Sequence, residues 1–381
     1  MRKINMVDLF GQYENIKTEI DSGIQEVINT TEFINGTAVK KFSSELASYL
    51  DVKHLLPCAN GTDALQIALM AIGCEPGDEI ITVPFTFVAT VEVIALLKLK
   101  PVFTEINPRT FNIDVNRIEE KITPRTKAIV PVHLFGQSAD MEKIMEIAAK
   151  HNLYVIEDAA QAVGCDYIFS SGKKQKAGTI GHIGTTSFYP TKNLGAYGDG
   201  GALITNNDDL AQKIKIICDH GSSRKYYYDS IGVNSRLDSI QAAILRVKLA
   251  HLDAYNKKRI AVADFYNSKF KELSGMQIPE TVPYSNHVYH QYTLLIENNR
   301  DEMKEFLQSK GIPSMIYYPV PLHLSNAYKI YGYADGDFPV SEQIASQVLS
   351  LPMHTELDEE QLNYITGHVI DFVKQHQPVA F

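Results

Sequence analysis

Lys192 stands where a lysine can do chemistry. Its surroundings read Thr185-Thr-Ser-Phe-Tyr-Pro-Thr-Lys192-Asn-Leu-Gly-Ala-Tyr-Gly-Asp-Gly-Gly-Ala-Leu-Ile-Thr205. A β-rich run over Thr185–Phe188 stops at Pro190, and a second short strand is predicted over Ala202–Thr205. One lysine and four glycines lie between them. Glycine lets a backbone turn tightly and approach a ligand closely. An amine held on such a turn, away from water, is the nucleophile of Schiff-base chemistry. Taken alone, the same residue reads more simply as a surface lysine on a β-turn.

Two upstream motifs shift that balance. Glu157-Asp158-Ala-Ala-Gln161 follows Leu153–Ile156, an apolar run of buried-strand type. Asp158 therefore falls at the carboxyl end of a predicted parallel strand, where open α/β sheets place their ligands. A buried carboxylate there can keep a pyridinium nitrogen protonated, which pyridoxal phosphate (PLP) requires to act as an electron sink. The plainer role for Asp158 is a helix N-cap. Asn60-Gly-Thr-Asp-Ala-Leu-Gln-Ile-Ala-Leu-Met-Ala-Ile-Gly73 opens as a turn and continues with helical spacing. A helix N-terminus offers free N–H groups and the positive dipole end, a natural phosphate seat. A simple turn and cap accounts for it equally well when it is read alone.

Lysine, strand-end aspartate and phosphate-type helix start, in this order, resemble the sugar aminotransferases of the DegT/DnrJ/EryC1/StrS family. The resemblance runs from Val7-Asp-Leu9 to Ser350-Leu-Pro-Met-His354. It is densest in Ser187–Lys192, Gly198-Asp-Gly-Gly201, Glu157–Gln161 and Gly232-Val-Asn-Ser-Arg-Leu-Asp-Ser-Ile-Gln-Ala-Ala243. It implies an α/β chain of the fold-type I PLP-dependent aminotransferase architecture. Such a chain has a mostly parallel sheet flanked by helices and a smaller C-terminal α+β domain. It also implies roles. Lys192 is similar to the family's cofactor-bound, proton-moving lysine, and Asp158 to the partner of the ring nitrogen. Gln161 matches the residue near the ring hydroxyl, and Phe87 the aromatic stacked on the ring. Core packing remains open for either Phe85 or Phe87. Gly61, Thr62 and Ser187 match the phosphate cradle. Asn234 matches a phosphate contact from a neighbouring subunit, and Arg236 a substrate contact of the same intruding loop, with a structural salt bridge as the alternative. Many relatives carry His-Tyr-Pro where this chain has Tyr317-Tyr318-Pro319, a change that keeps a hydrogen-bond donor but gives up a possible positive charge. Tyr317 and Tyr318 are expected at the substrate.

The elements that must position these residues follow from periodicity. Residues 12–50 read as helical. From Asn60 to about Thr205, helical patterns alternate with short apolar strands at Glu79–Val83, Pro101–Thr104, Ala128–Val132 and Leu153–Ile156, which implies crossover units and a largely parallel sheet. Ser170–Lys176 reads as a solvated hairpin loop. A long helix is predicted over Ser239–Leu273. After it come a strand at Gln291–Ile296 and a helix at Arg300–Lys310. The division is expected at 1–255 for the PLP-binding domain and 256–381 for the smaller one, with Gln377–Phe381 frayed.

Composition fits this class. The chain has 381 residues, 45% of them hydrophobic, and a net charge of −9. That is enough for a large core and a second small domain, and nothing suggests a nucleic-acid surface. No apolar run approaches the roughly 20 residues of a membrane span, and the N-terminus lacks the apolar core of a signal peptide. Cys58, Cys74, Cys165 and Cys218 form no metal-type pair and fit a reducing, cytoplasmic setting. The histidines form no zinc pattern, and His287 and His290 are expected to be structural or to touch substrate. The resemblance implies transfer of an amino group from glutamate to a keto group on a nucleotide-linked sugar, in a homodimer with shared sites. The nearest phrases are those of enzymes that aminate carbon 3 of UDP-2-acetamido-2-deoxy-3-oxo-glucuronate. A dTDP-linked 3-oxo-6-deoxyhexose is the alternative substrate. A sugar dehydratase of the same fold replaces the lysine with histidine. A cysteine desulfurase needs a mobile cysteine, whereas Cys218 sits in a helical run. A non-catalytic regulator has no need of Lys192, Asp158 and Gln161 together.

Overall fold

A computed structural model describes residues 2–376; the expectation for Gln377–Phe381 lies outside the described residues. The elements run in order α1 (Leu9–Thr30), α2 (Thr37–Leu50), β1 (His54–Cys58), α3 (Gly61–Ala71), β2 (Glu79–Thr82), α4 (Ala89–Leu96), β3 (Lys100–Phe103), β4 (Thr126–Ile129), α5 (Met141–His151) and β5 (Tyr154–Asp158). A hairpin of β6 (Asp166–Ile168) and β7 (Lys174–Lys176) follows, then β8 (Ile183–Ser187), β9 (Gly201–Thr205) and α6 (Asp208–Cys218). A small arm, β10 (Ser222–Arg224) and β11 (Tyr227–Tyr228), leads into α7 (Ser239–Phe270). The rest comprises β12 (Met276–Gln277), β13 (Tyr292–Ile296), α8 (Arg300–Ser309), α9 (Pro339–Gln347), β14 (Val348–Leu351) and α10 (Glu359–Gln375).

The large sheet has the order β1-β9-β8-β5-β4-β2-β3. Every pairing from β8 to β3 is parallel, while β9 is antiparallel to both β8 and β1. Only β9 thus runs against the other strands, as expected of a mostly parallel sheet. Both faces are covered, so the strands are apolar on both sides. Ile81, Ile129 and Val155 point into one core with α5. Their neighbours Ile80, Ala128 and Ile156 point into the other, with α3, α4 and α6. Helix α3 is buried nearly all round, which its Ala- and Leu-rich sequence permits. Cys218 belongs to that second core, as expected.

Helix α7 runs along both parts of the molecule. Its residues up to Leu252 pack with α2 and the turn after β8. From Val262 onward it packs with β13, β14 and α10. The helix passes from one core to the other between Leu252 and Val262. Ile4, near the start of the chain, has its side chain in the C-terminal core.

Three expectations need adjustment. The stretch 12–50, read as helical, is broken into two helices. The first ends at Thr31 in the left-handed region and the second begins at Gly36, which a helix running through would not need. The strand foreseen at Thr185–Phe188 is Ile183–Ser187, and the long helix stops at Phe270 rather than Leu273. Ser170–Lys176 does form part of a hairpin, as expected, with residues 170–173 as its tip and Lys174–Lys176 as its second strand.

Candidate active site

The carboxyl ends of β5 and β8, the loop after β2 and the start of α3 converge on one cleft of about 710 Å³. Gly61, Thr62, Phe87, Asp158, Gln161, Ser187, Lys192, Tyr317 and Tyr318 all line it. Residues from Gly61 to Tyr318 are thereby gathered in one place, which is the geometry expected at the strand ends of an open α/β sheet.

Asp158 ends β5 and is only 6% exposed. The Thr90 hydroxyl donates to its Oδ2 at 2.8 Å, and the Ala160 N–H donates to its Oδ1 at 3.2 Å. Each oxygen therefore has a fixed donor, and the carboxylate is aimed rather than free to turn. Its neighbour Glu157 points to the other side of the sheet. There it accepts from the N–H groups of Gly178, Ile180 and Gly181 and pairs with His133 Nε2 at 2.8 Å. His133 Nδ1 accepts the Ala139 N–H, so Nε2 carries the proton that meets Glu157. This network braces the strand end that carries Asp158.

Lys192 sits on a turn after β8, its N–H donating to the Tyr189 carbonyl. It is partly buried, and burial, opposed by the Asp158 charge, pushes its amine down to about 8. Gly195 closes the turn: a Cβ there would overlap the Pro190 carbonyl oxygen. Asn60 caps α3 by accepting from the Asp63 N–H at 2.7 Å. The Gly61 and Thr62 amides face the cleft end of the helix, where an anion is favoured. Gly61 lies so close to Ser187 that an added Cβ would come within 2.7 Å of the serine Cβ. Gln161 is oriented from both ends. Its Oε1 accepts the Phe135 N–H at 2.7 Å and its Nε2 donates to the Tyr318 hydroxyl at 3.1 Å.

The two phenylalanines divide. Phe85 is fully buried in the core, while Phe87 is 53% exposed and lines the cleft. The two histidines divide as well. His287 is structural: its Nδ1 accepts the Tyr289 N–H and its ring stacks on Tyr289. His290 lines the cleft, and burial with the nearby Lys192 and Arg259 charges holds it neutral. Sequence reasoning missed Thr86 and Asp199 at the cleft and Thr90 behind it, where it is buried and holds Asp158; among these only Thr90 carried a signal, as a hydroxyl at the start of α4.

Asn234 and Arg236 lie outside this cleft. Asn234 is exposed and its backbone bridges Asp219. Arg236 lies 3.9 Å from Asp219 in a separate groove of about 1070 Å³, also lined by Lys40, Lys215, Arg224 and Lys225. The arm before them exposes Tyr226, Tyr228 and Ile231.

The donor set fits PLP: an amine of lowered proton affinity, a fixed carboxylate, free amides at a helix start, and an exposed aromatic ring beside them. Among the described residues no cluster of ligands suits a metal ion, and no helix is long and apolar enough to cross a membrane.

Comparison with known proteins agrees with this geometry. The model of the DegT/DnrJ/EryC1/StrS aminotransferase family matches residues 14–370. A Geobacillus stearothermophilus protein named "Pleiotropic regulatory protein" is 48% identical, over 97% of this chain and 99% of its own. The UDP-2-acetamido-2-deoxy-3-oxo-D-glucuronate aminotransferase of Pseudomonas aeruginosa is 44% identical, over 95% and 98%. Other relatives are named as UDP-sugar and dTDP-sugar aminotransferases. The X-ray structure of S. venezuelae DesV in complex with a ketimine intermediate superposes with a TM-score of 0.95. It is 38% identical, and the match covers 99% of this chain and 100% of that one.

Proposed function

We propose a substrate for this chain, which belongs to the DegT/DnrJ/EryC1/StrS aminotransferase family and is a PLP-dependent sugar aminotransferase. It moves an amino group from glutamate to the 3-keto carbon of UDP-2-acetamido-2-deoxy-3-oxo-glucuronate, for a bacterial surface polysaccharide. The observation that carries this reading is the P. aeruginosa relative of that name, matched almost end to end. The ligand bears a diphosphate and a carboxylate and calls for cations. Arg236 supplies the best one, since a guanidinium grips an oxyanion with two parallel hydrogen bonds. Its contact with Asp219 is too long for a hydrogen bond, which leaves its donors available. The four unpaired cysteines suit the reducing cytoplasm in which we place the enzyme.

The active unit in this reading is a homodimer with shared sites. Asn234 and Arg236 stand outside the cleft lined by the other nine candidate residues. A two-fold axis would bring them to the partner's cleft and make two equivalent sites.

When bound, PLP supplies a carbonyl carbon for the migrating amine and a ring that stores the electron pair released beside it. The chain supplies position and protons. Gly61, Thr62 and Ser187 would hold the phosphate, Phe87 would back the ring, and Gln161 would serve the ring hydroxyl. Asp158 keeps the ring nitrogen charged. Lys192 Nζ would hold the cofactor at rest and, once displaced by the donor's amine, would be free to take the proton from the donor's α-carbon and to return one during transfer to the sugar. Tyr317 and Tyr318 close the substrate side.

A dTDP-3-oxo-6-deoxyhexose is the second reading. Tyr317 favours it, because a tyrosine there offers no positive charge to a uronate. A regulatory role, as the name of the Geobacillus relative has it, gives no reason for Lys192, Asp158 and Gln161 to share one cleft. The test is competition: both ketosugars are offered with glutamate and the amino sugars quantified by mass spectrometry. The uronate should win by about a hundredfold or more, because buried polar groups left unpaired reject the methyl analogue. A clear preference for the deoxyhexose would overturn the substrate and leave the aminotransferase intact.

A further inference from the structure

We infer that Lys248 is a positioning residue for Lys192, the centre of a polar rail on α7 that grips every second residue of the segment after the lysine. The inference rests on Lys192 being the cofactor lysine.

The segment offers Asn193, Gly195 and Tyr197 to α7. Asn193 Nδ2 donates to Asn256 Oδ1 at 2.8 Å. Lys248 Nζ donates to the Gly195 carbonyl at 2.7 Å. The Tyr197 N–H donates to Gln241 Oε1 at 2.9 Å. Between them, Leu194 and Ala196 turn the other way, into the apolar core with Phe42 and Phe188. The segment thus faces the helix at every second residue and the core at the residues between. On the helix the partners descend as the segment ascends, 256, 248, 241, each step close to two turns and so near one face. The segment therefore lies antiparallel along α7, and its register fixes where Lys192 begins.

Lys248 is the costly member of the rail. It is 1% exposed, and no carboxylate pairs with it among the described residues. An ammonium in that setting must be satisfied by fixed dipoles. The Gly195 carbonyl supplies one, and the face of the Tyr197 ring, 4.9 Å from Nζ, supplies another. Gly195 is also the neck of the lysine turn, with no room for a Cβ beside Pro190. Lys248 thus holds the neck while Asn256 holds the residue next to Lys192. One turn further along α7, the buried Arg259 donates to the carbonyls of Tyr289, at 3.1 Å, His290, at 3.4 Å, and Met353, at 3.1 Å. The helix that sets Lys192 therefore also sets the His290 wall of the cleft. Lys192 owes its low proton affinity first to burial. Releasing the neck would let water reach the amine and raise it toward the ordinary lysine range.

The test reads Lys192 in the cofactor-free full chain. Brief acetic anhydride pulses across the alkaline range, followed by peptide mass spectrometry, give the pH midpoint of Lys192 acetylation. Lys248→Met keeps the side-chain length and removes the donor; Lys248→Gln keeps a donor. In Lys248→Met the midpoint should rise by about one pH unit or more. After loading with PLP, kcat should fall about tenfold or more while KM for glutamate changes little. Lys248→Gln should recover part of both. Gln241→Met cuts the rail at its partly exposed end and should shift the midpoint in the same direction by less. It decides the matter if Lys248→Met does not fold. A wild-type midpoint and kcat in Lys248→Met, or in Gln241→Met where only that variant folds, overturn the inference. Borohydride reduction of the loaded wild type separates the two ideas: a pyridoxyl group on a lysine other than 192 defeats the cofactor reading, whatever the variants do.

Discussion

The Thr90 hydroxyl and Asp158 Oδ2, 68 residues apart in sequence, meet at 2.8 Å at the floor of the cleft. Thr90 lies in the first turn of α4, whose N-terminal dipole adds to the hold on the carboxylate. Thr90→Val keeps the shape and leaves Oδ2 without its donor. An unsatisfied buried acceptor costs about 1–3 kcal/mol, so kcat should fall about tenfold or more with cofactor still bound. Asp158→Asn should also bind cofactor, but lose about a hundredfold or more, because a neutral amide cannot hold the ring nitrogen charged. Steady-state kinetics beside the visible spectrum decide this. Wild-type turnover in Asp158→Asn would remove the assignment.

Lys192→Ala should abolish both activity and protein-linked cofactor. Borohydride reduction and peptide mapping of the wild type should find the pyridoxyl group on Lys192. The pH dependence follows from the environment of the amine. Burial, opposed by Asp158, pushes it down to about 8. The free base is the nucleophile, so more of it forms as pH rises. Capture of PLP by the cofactor-free protein should climb about tenfold per pH unit below that value and flatten above it. A rate that keeps climbing to about pH 10 would mark an ordinary, solvated lysine.

The residues most legible in the sequence were those whose type and strand position are both constrained. Lys192 on its glycine turn, Asp158 at a strand end and Gly61-Thr62 at a helix start could each be placed without knowing what they touch. Only the family resemblance singled out Phe87 over Phe85, because a loop after a strand has no period to say which ring turns inward. His287 and His290 could not be separated, because their spacing fits either face. Asn35-Gly36 carries the break between α1 and α2, a turn signal inside the stretch read as helical. The rail on α7 was hidden for a different reason. Lys248 and Arg259 look like the solvent face of an amphipathic helix, whereas both are buried against carbonyls of distant segments.

Complementation tests the shared sites. Lys192→Ala and Arg236→Ala should each be inactive alone. In a mixed dimer one cleft combines both lesions and the other has neither. A purified mixed dimer should therefore regain about half of wild-type activity, and a fully exchanged equimolar mixture about a quarter. Differently tagged subunits purified in sequence give verified mixed dimers. A fully active monomer, or no recovery in such dimers, would contradict the arrangement.

Acid should destabilise this protein earlier than its carboxylates require. Burial pushes His287 down to about 3 and His354 down to about 4. His290 lies well below its ordinary value, first from burial and then from the Lys192 and Arg259 charges. Near neutrality these rings are uncharged in both the folded and the unfolded chain, and nothing is gained or lost. As pH falls through about 6.5, the unfolded chain takes up protons that the folded chain refuses. Stability then drops with pH, because the unfolded state binds more protons. With all three rings contributing, the slope approaches about 4 kcal/mol per pH unit until His354 begins to protonate in the fold. The lowered carboxylates, such as Glu79 and Asp358, act in the same direction but only near and below their own ordinary range. The onset near 6.5 is therefore the histidine signature. Urea unfolding of the cofactor-free protein at steps between about pH 7 and pH 5 measures it. His287→Asn, whose amide oxygen can still accept the Tyr289 N–H, should reduce the slope by about 1.4 kcal/mol per unit. A flat stability over that interval would mean that these rings protonate in the folded chain, and that the wall of the cleft at His290 is open to water.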